Sequence, residues 1–257
     1  MIGMYLLLNL IQAITEFLPI SSSGHLVLFG ELYGLSEEGI ESFLHLPTTL
    51  AILVVFFPTL LHILKSPKLW GILLAAMVPA GLVGLLLSNA IDLVLYSPIV
   101  VAVNQLFWGS MLWYNAVNYH THKGEKPKRW QELTLRQAFT IGLLQILALI
   151  PGTSRSGITT LAGMWNTLTP QQSATFSFIS GFPLILAASL LGLKKVLSNG
   201  ELTAYVETIP LLIGMLLSFI VGIICIRLFI SRHTLLVMKI SGIYRIILGT
   251  LILIWLI

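Results

Sequence analysis

The chain has 257 residues, 56% hydrophobic and only 9% charged, with a formal net charge of +4, a pI near 9.3 and a mean hydropathy of +0.94. Soluble domains carry about 25% charged residues, so a water-soluble globule is excluded, and disorder, which needs low hydrophobicity, is excluded with it. A single cysteine, Cys225, rules out an intramolecular disulfide framework and any multi-cysteine metal site.

The chain is apolar from Met1 onward, with no basic leader region and no small-residue cleavage site, and reads as mature protein rather than a signal peptide. A first apolar segment, 4–30, is broken by the run from Pro19 to Gly24. Membrane spans are predicted at 46–64, 70–88 and 98–117. A second broken segment, 137–163, is interrupted from Pro151 to Gly157, and further spans are predicted at 174–193, 208–228 and 238–257. Each span reaches the roughly 20 apolar residues that a crossing helix needs, and none shows the alternation of a membrane barrel. Non-helical backbone at membrane depth survives only where it is buried in protein or lines a cavity. The broken segments therefore read as re-entrant hairpins. The expected fold is an all-α polytopic membrane protein with six transmembrane helices plus two re-entrant helical hairpins.

A basic balance would suggest nucleic acid in a soluble protein, but here the cations sit in short loops between apolar runs, which excludes that partner and sets orientation instead. Lys65 and Lys68 follow the first span. Lys123, Lys126, Lys128, Arg129 and Arg136 follow the third, and Arg227, Arg232 and Lys239 the fifth. Those loops are expected in the cytoplasm. The alternate loops hold Glu31, Glu37, Glu38, Glu41, Asp92, Glu201 and Glu207, with Lys194 and Lys195 as exceptions. Both termini are then expected outside.

Sliding the chain against itself by 133 positions superimposes the broken segments: Gln12 on Gln145, Ser21 on Ser154, Ser23 on Ser156, Gly24 on Gly157 and Gly30 on Gly163. Three spans separate the copies, and an odd number of crossings inverts the second, as in inverted-repeat transporters. A single membrane domain is expected. Its first repeat covers 1–117 with hairpin 4–30, its linker 118–136, and its second repeat 137–257 with hairpin 137–163. Such folds place their site where the broken helices meet, and helix termini there favour an anion.

The polar residues of the hairpins suit that place. Gln12 and Glu16 lie four apart on one helix face, and Ser21, Ser22, Ser23 and His25 follow. The second hairpin offers Thr153, Ser154, Arg155, Ser156 and Thr159. Ionisable groups in membrane segments are costly and usually functional, which singles out Glu16, His25 and Arg155. A guanidinium with hydroxyls and loop N–H groups binds phosphate. A carboxylate and an imidazole supply a base and an acid, or hold a divalent ion, and a serine can act as nucleophile. Phosphoryl transfer fits this set better than peptide hydrolysis. The competing readings are packing roles for Ser21, Ser23 and Ser156, a purely structural Glu16–Arg155 ion pair, and a core role for His25. His45 is as readily a packing residue as a functional one, and His62, His120, His122 and His233 read as interface or solvent residues.

At these residues the chain resembles the undecaprenyl-pyrophosphate phosphatase family of the bacitracin-resistance type, over essentially its whole length. Two motifs carry the likeness: Gln12-x-x-x-Glu16 running into Pro19-Ile20-Ser21-Ser22-Ser23-Gly24-His25, and Pro151-Gly152-Thr153-Ser154-Arg155-Ser156-Gly157-Ile158-Thr159. Tyr244-Arg245-Ile246-Ile247-Leu248-Gly249 adds a third match. The resemblance implies an enzyme of the bacterial inner membrane, its site facing outward, that hydrolyses C55 isoprenyl diphosphate to the monophosphate and inorganic phosphate. Such an enzyme recycles the cell-wall carrier lipid and confers bacitracin resistance. It implies Mg²⁺ or Ca²⁺, held by Glu16 with Gln12. It further implies catalytic roles for Glu16, Ser22, His25 and Arg155, and substrate binding by Gln12, Ser21, Ser23, Thr153, Ser154, Ser156 and Thr159. The expected partners are the polyprenyl diphosphate, membrane lipid and, in a homodimer, a second copy of the chain. The rival function is a lipid-phosphate transporter or flippase. Gln12 stands where many relatives have Glu, Pro47 replaces a usual Gly, and the loop after Lys65 has fewer cations than is common.

Overall fold

The computed structural model describes residues 2–33, 37–120, 128–198 and 209–257. Of the residues weighed above, His122, Lys123, Lys126, Glu201 and Glu207 lie outside these, as do the side chains of Glu37, Glu38, Glu41, Asp92 and Lys195. Ten α-helices carry the described chain: α1 Ile2–Phe17, α2 Ser22–Tyr33, α3 Glu37–Leu64, α4 Pro67–Leu95, α5 Pro98–Val117, α6 Leu135–Gln145, α7 Arg155–Trp165, α8 Pro170–Ser198, α9 Ile209–Phe229 and α10 Thr234–Trp255. Among the described residues no strand occurs beyond one bridge between Lys128 and Leu168. The protein is an all-α polytopic membrane protein.

Among the described residues, five helices are long and apolar enough to cross a membrane, at Leu44–Leu64, Pro67–Leu87, Pro170–Leu191, Leu212–Phe229 and Thr234–Trp255. These overlap five of the six expected spans. The sixth, α5, is a 20-residue helix where 98–117 was expected, but Asn104, Gln105 and Asn115 lower its hydropathy. Asn104 and Gln105 bond to the two turns, as the contacts below show, and Asn115 accepts from Trp165 Nε1 at 2.9 Å, so α5 spends its polar side chains on its neighbours.

Each broken segment is a helix, a turn and a second helix. α1 runs beside α9, with Asn9 against Gly214 and Phe17 against Gly222, and stops halfway along it. α6 starts at the other end, where Leu135 meets Gly71, and runs beside α4 until Gln145 Nε2 donates to the Ala76 carbonyl at 3.3 Å. A short 3₁₀ turn, Ile146–Leu149, follows. The two segments thus enter from opposite ends and turn back near the middle. Elements also pair across the two halves of the chain, α3 with α8, α5 with α10, α1 with α9 and α4 with α6.

One side chain joins both turns. Arg245, the largest fully buried side chain, donates through Nη1 to the carbonyls of Pro19 at 3.1 Å and Thr153 at 3.0 Å. Its Nη2 donates to Asn104 O at 3.3 Å and to Gly152 O. Gln105 adds a bond to Ile20 O at 3.0 Å, and Asn104 accepts from Thr153 Oγ1 at 3.2 Å. Carbonyls released by the turns have no water at this depth, so they are satisfied by groups from α5 and α10.

Arg245 reaches both turns because α10 lies very close to α5. A Cβ on Gly242 would come within 2.7 Å of Gly109 O, and one on Gly249 within 2.8 Å of Ala102 O. Small residues let membrane helices approach backbone to backbone. Gly242→Ala should push the two helices apart and cost about 1–3 kcal/mol, the usual cost of overpacking. Thermal melting of the purified variant in detergent checks this, with a lowered midpoint expected.

Candidate active site

Ser21 and Ser154 sit at the two turns with almost the same unusual backbone, φ of 73° and 74°. Positive φ is costly for a non-glycine residue and is kept where the surroundings over-determine it. Each serine also caps the helix that follows: Ser21 Oγ accepts from Gly24 N and Ser154 Oγ from Gly157 N, both at 3.3 Å. The matching geometry turns the N-terminal ends of α2 and α7 toward a shared cavity of about 550 Å³. Ser21, Ser22, Ser23, Ser154 and Arg155 line it, together with Glu16 and His45.

Glu16 is the hub of the polar wall. Arg155 Nη2 donates to its Oε1 at 2.9 Å, joining the two hairpins by an ion pair whose side chains are 14% and 7% exposed. Ser22 Oγ donates to Oε2 at 2.6 Å, and Gln12 Nε2 donates to the same oxygen at 3.3 Å. Arg155 is held from behind, with Nη1 donating to the Ser177 carbonyl at 3.2 Å. Thr159 Oγ1 donates to Arg155 O at 2.6 Å and bonds to the Ser177 hydroxyl. Below this wall, toward the end bearing Lys65, Lys128 and Arg129, Phe17, Phe56, Phe178 and Phe229 form an aromatic cluster around Phe178. The opposite wall is apolar, with Ala80, Gly81, Gly84 and Leu85 from α4 facing Leu184, Ile185, Ala188 and Leu191 from α8. Leu85 and Leu191 line the cavity yet are 73% and 60% exposed, so it opens sideways between α4 and α8.

The structure brings together Glu16, Ser21, Ser22, Ser23, Ser154 and Arg155 of the expected residues, with Gln12 directly behind Glu16. Thr153, Ser156 and Thr159 are buried outside the cavity lining; Ser156 bonds to Ser154 Oγ at 3.2 Å, and Thr153 and Thr159 make the contacts given above. His25 is not among the lining residues. Its Nδ1 donates to the Ser21 carbonyl at 2.7 Å, and Tyr244 Oη stands 2.7 Å from Nε2, so both ring nitrogens are engaged away from the cavity. His45 stands at Glu16 instead, with Nδ1 3.8 Å from Oε2.

Among the described residues no three His, Cys, Asp or Glu side chains converge to hold a metal. The oxygen donors at the hub are the Glu16 carboxylate, the serine hydroxyls and Gln12 Oε1, which is buried without a partner. That set suits a hard cation which keeps waters and takes further oxygens from a phosphate ligand. It does not make a cage of protein ligands.

The chain matches the family described as bacitracin resistance protein BacA over residues 5–251. It is 36% identical to an undecaprenyl-diphosphatase of Chromohalobacter salexigens, covering 96% of each chain. It is 36% identical to one of Aliivibrio salmonicida, covering 97% of this chain and 96% of the other. An undecaprenyl-diphosphatase of Flavobacterium johnsoniae is 34% identical, covering 96% and 93%.

Gly181 tests the placing of Arg155. A methyl group there would fall on the guanidinium, so Gly181→Ala must displace it. The single variant should lose about 1–3 kcal/mol of stability. In an Arg155→Ala background the same change should cost little, and a melting-temperature cycle over the four proteins reads the non-additivity.

Proposed function

The chain belongs to the bacitracin resistance protein BacA family, and we propose that its cavity is where it acts as an undecaprenyl-diphosphatase. The enzyme removes the terminal phosphate of C55 isoprenyl diphosphate, leaving the monophosphate carrier lipid that cell-wall synthesis reuses. The single observation that carries the site is the Glu16–Arg155 pair at 2.9 Å, with Ser22 at 2.6 Å from the same carboxylate. Nucleophile, base and phosphate-binding cation then stand within one hydrogen-bonded group.

In this reading the two phosphates lie between the N-terminal ends of α2 and α7, where free N–H groups and the helix dipoles favour negative charge. Arg155 donates to the oxygens of the phosphoryl group being transferred, where charge gathers. Ser22 passes its hydroxyl proton to Glu16 Oε2 as Oγ attacks the terminal phosphorus. The bond from that phosphorus to the bridging oxygen breaks, and the lipid leaves as the monophosphate. Water then attacks the phosphoserine, phosphate departs, and Ser22 recovers its proton from Glu16. Mg²⁺ or Ca²⁺ would be held by Glu16, Gln12 Oε1 and the phosphates, and would offset charge on the phosphate oxygens. The first isoprene units lie along the α4–α8 wall, and the rest of the tail leaves by the sideways opening.

The enzyme is a multi-pass membrane protein. Its inner-membrane placement and its outward-facing site rest on charge: the described cations Lys65, Lys68, Lys128, Arg129, Arg136 and Arg232 sit in loops or the first helical turn after them, at the end where α6 begins, and such segments stay in the cytoplasm. The two broken segments entering from opposite ends and the pairing of helices across the halves support an inverted repeat divided at 117 and 137.

Purified protein should release phosphate from C55 diphosphate, and a chelator should suppress the release. Arg155→Ala should lower kcat on the order of 10²–10³-fold without loss of the folded protein. Near-normal turnover by that variant contradicts the assignment, and lipid movement in vesicles without phosphate release would favour a transporter. A phosphoserine at Ser22 trapped by rapid acid quench would mark the covalent route.

A further inference from the structure

We propose that His45, which has no part in the mechanism above, is a third group that touches the substrate: a neutral imidazole, protonated on Nε2, that donates to a phosphate oxygen. The proposal rests on the phosphatase reading of the cavity and deepens it.

The argument runs through a chain of hydrogen bonds. Arg155 donates to Glu16 Oε1, so the carboxylate is ionised and can only accept. Gln12 must therefore turn its NH₂ group, not its oxygen, toward Glu16 Oε2 at 3.3 Å. The same nitrogen lies 3.0 Å from His45 Nδ1. An amide nitrogen has two hydrogens and no acceptor, so one serves Glu16 and the other serves Nδ1. Nδ1 is consequently the acceptor of the ring, and the proton sits on Nε2. The orphaned Gln12 Oε1 is the counterpart of this orientation.

Nε2 has no hydrogen-bond partner among the described residues. The ring borders the cavity, and 22% of its side chain stays exposed. His25 has the opposite tautomer with both nitrogens spent, so of the two histidines only His45 has an N–H to offer here.

The backbone is shaped for this placement. Pro47, inside α3, has no N–H to give to the turn before it. The hydroxyls of Thr48 and Thr49 both donate to the His45 carbonyl, at 2.8 and 2.7 Å, and steady the loosened turn that carries the ring. A neutral N–H donor next to Glu16 can stabilise oxygen charge without adding a second proton transfer.

The test separates the two ring nitrogens. Glutamine places an amide nitrogen about where Nε2 stands, whereas asparagine reaches only to Nδ1. With C55 diphosphate, His45→Gln should keep kcat within about fivefold of wild type, and His45→Asn should lose about 100-fold. Equal retention by both variants overturns the proposal, as does retention by asparagine alone or equal loss in both. Absence of phosphate release from wild type would instead strike the phosphatase reading itself. The native protein gives an independent reading by ¹⁵N imidazole spectroscopy. His45 should show an unprotonated Nδ1 and a protonated Nε2 whose signal moves when inorganic diphosphate is added, and a protonated Nδ1 overturns the proposal even if both variants fail to fold.

Discussion

A carboxylate and a guanidinium at membrane depth cost far less together than apart, and the pairing of Glu16 with Arg155 is the constraint around which this protein is arranged. The two groups come from different hairpins, 139 positions apart in the chain. Bringing them to 2.9 Å forces the turns that carry them to meet. Everything else at the site is positioned by that meeting. Ser22 lies against the same carboxylate, Ser177 holds the guanidinium from the other side, and Gly181 leaves the space that the guanidinium occupies.

The two hairpins share a backbone but not a chemistry. Ser21 and Ser154 adopt the same strained φ and make the same cap, so each turn presents a helix N-terminus. At the next position the two hairpins differ: the first carries Ser22, whose hydroxyl donates to Glu16, and the second Arg155, whose guanidinium pairs with the same carboxylate. A hydroxyl and a cation from different hairpins thus meet on one acid. The aromatic cluster around Phe178 packs outside the cavity lining, and the small residues of α4 leave the side of the cavity open. A head group held dry and a tail left in lipid is the arrangement a membrane-bound diphosphate demands.

Much of this was legible in the residues alone. Helical spacing puts Gln12 and Glu16 on one face, and the repeated Ser-x-Ser with its glycine marks both turns, because these are properties of a segment and its immediate neighbours. What escaped depends on contacts between distant segments. His25 belongs to the first motif, and its ring bonds back to Ser21 one turn earlier, but its other nitrogen meets Tyr244 across 219 positions, a contact that no spacing encodes. His45 reaches Glu16 from α3 across a proline-loosened turn, and Ser177 contributes a backbone carbonyl, which has no signature in a side-chain pattern. Arg245 was visible only as part of a third matching stretch. α5 carries Asn104 and Gln105 toward the turns, and those two residues help to make it less apolar than the other long helices.

Arg245 also has a consequence for how the chain is assembled. The turn that it secures at Pro19 leaves the ribosome 226 residues ahead of the arginine. Until α10 enters the bilayer, the carbonyls of Pro19, Gly152 and Thr153 lack their common donor, at a depth where water cannot replace it. Both broken segments must therefore wait, incompletely bonded, until α10 arrives, the first for 226 residues and the second for 92. The final helix works as a latch: its arrival converts a set of inserted segments into an enzyme.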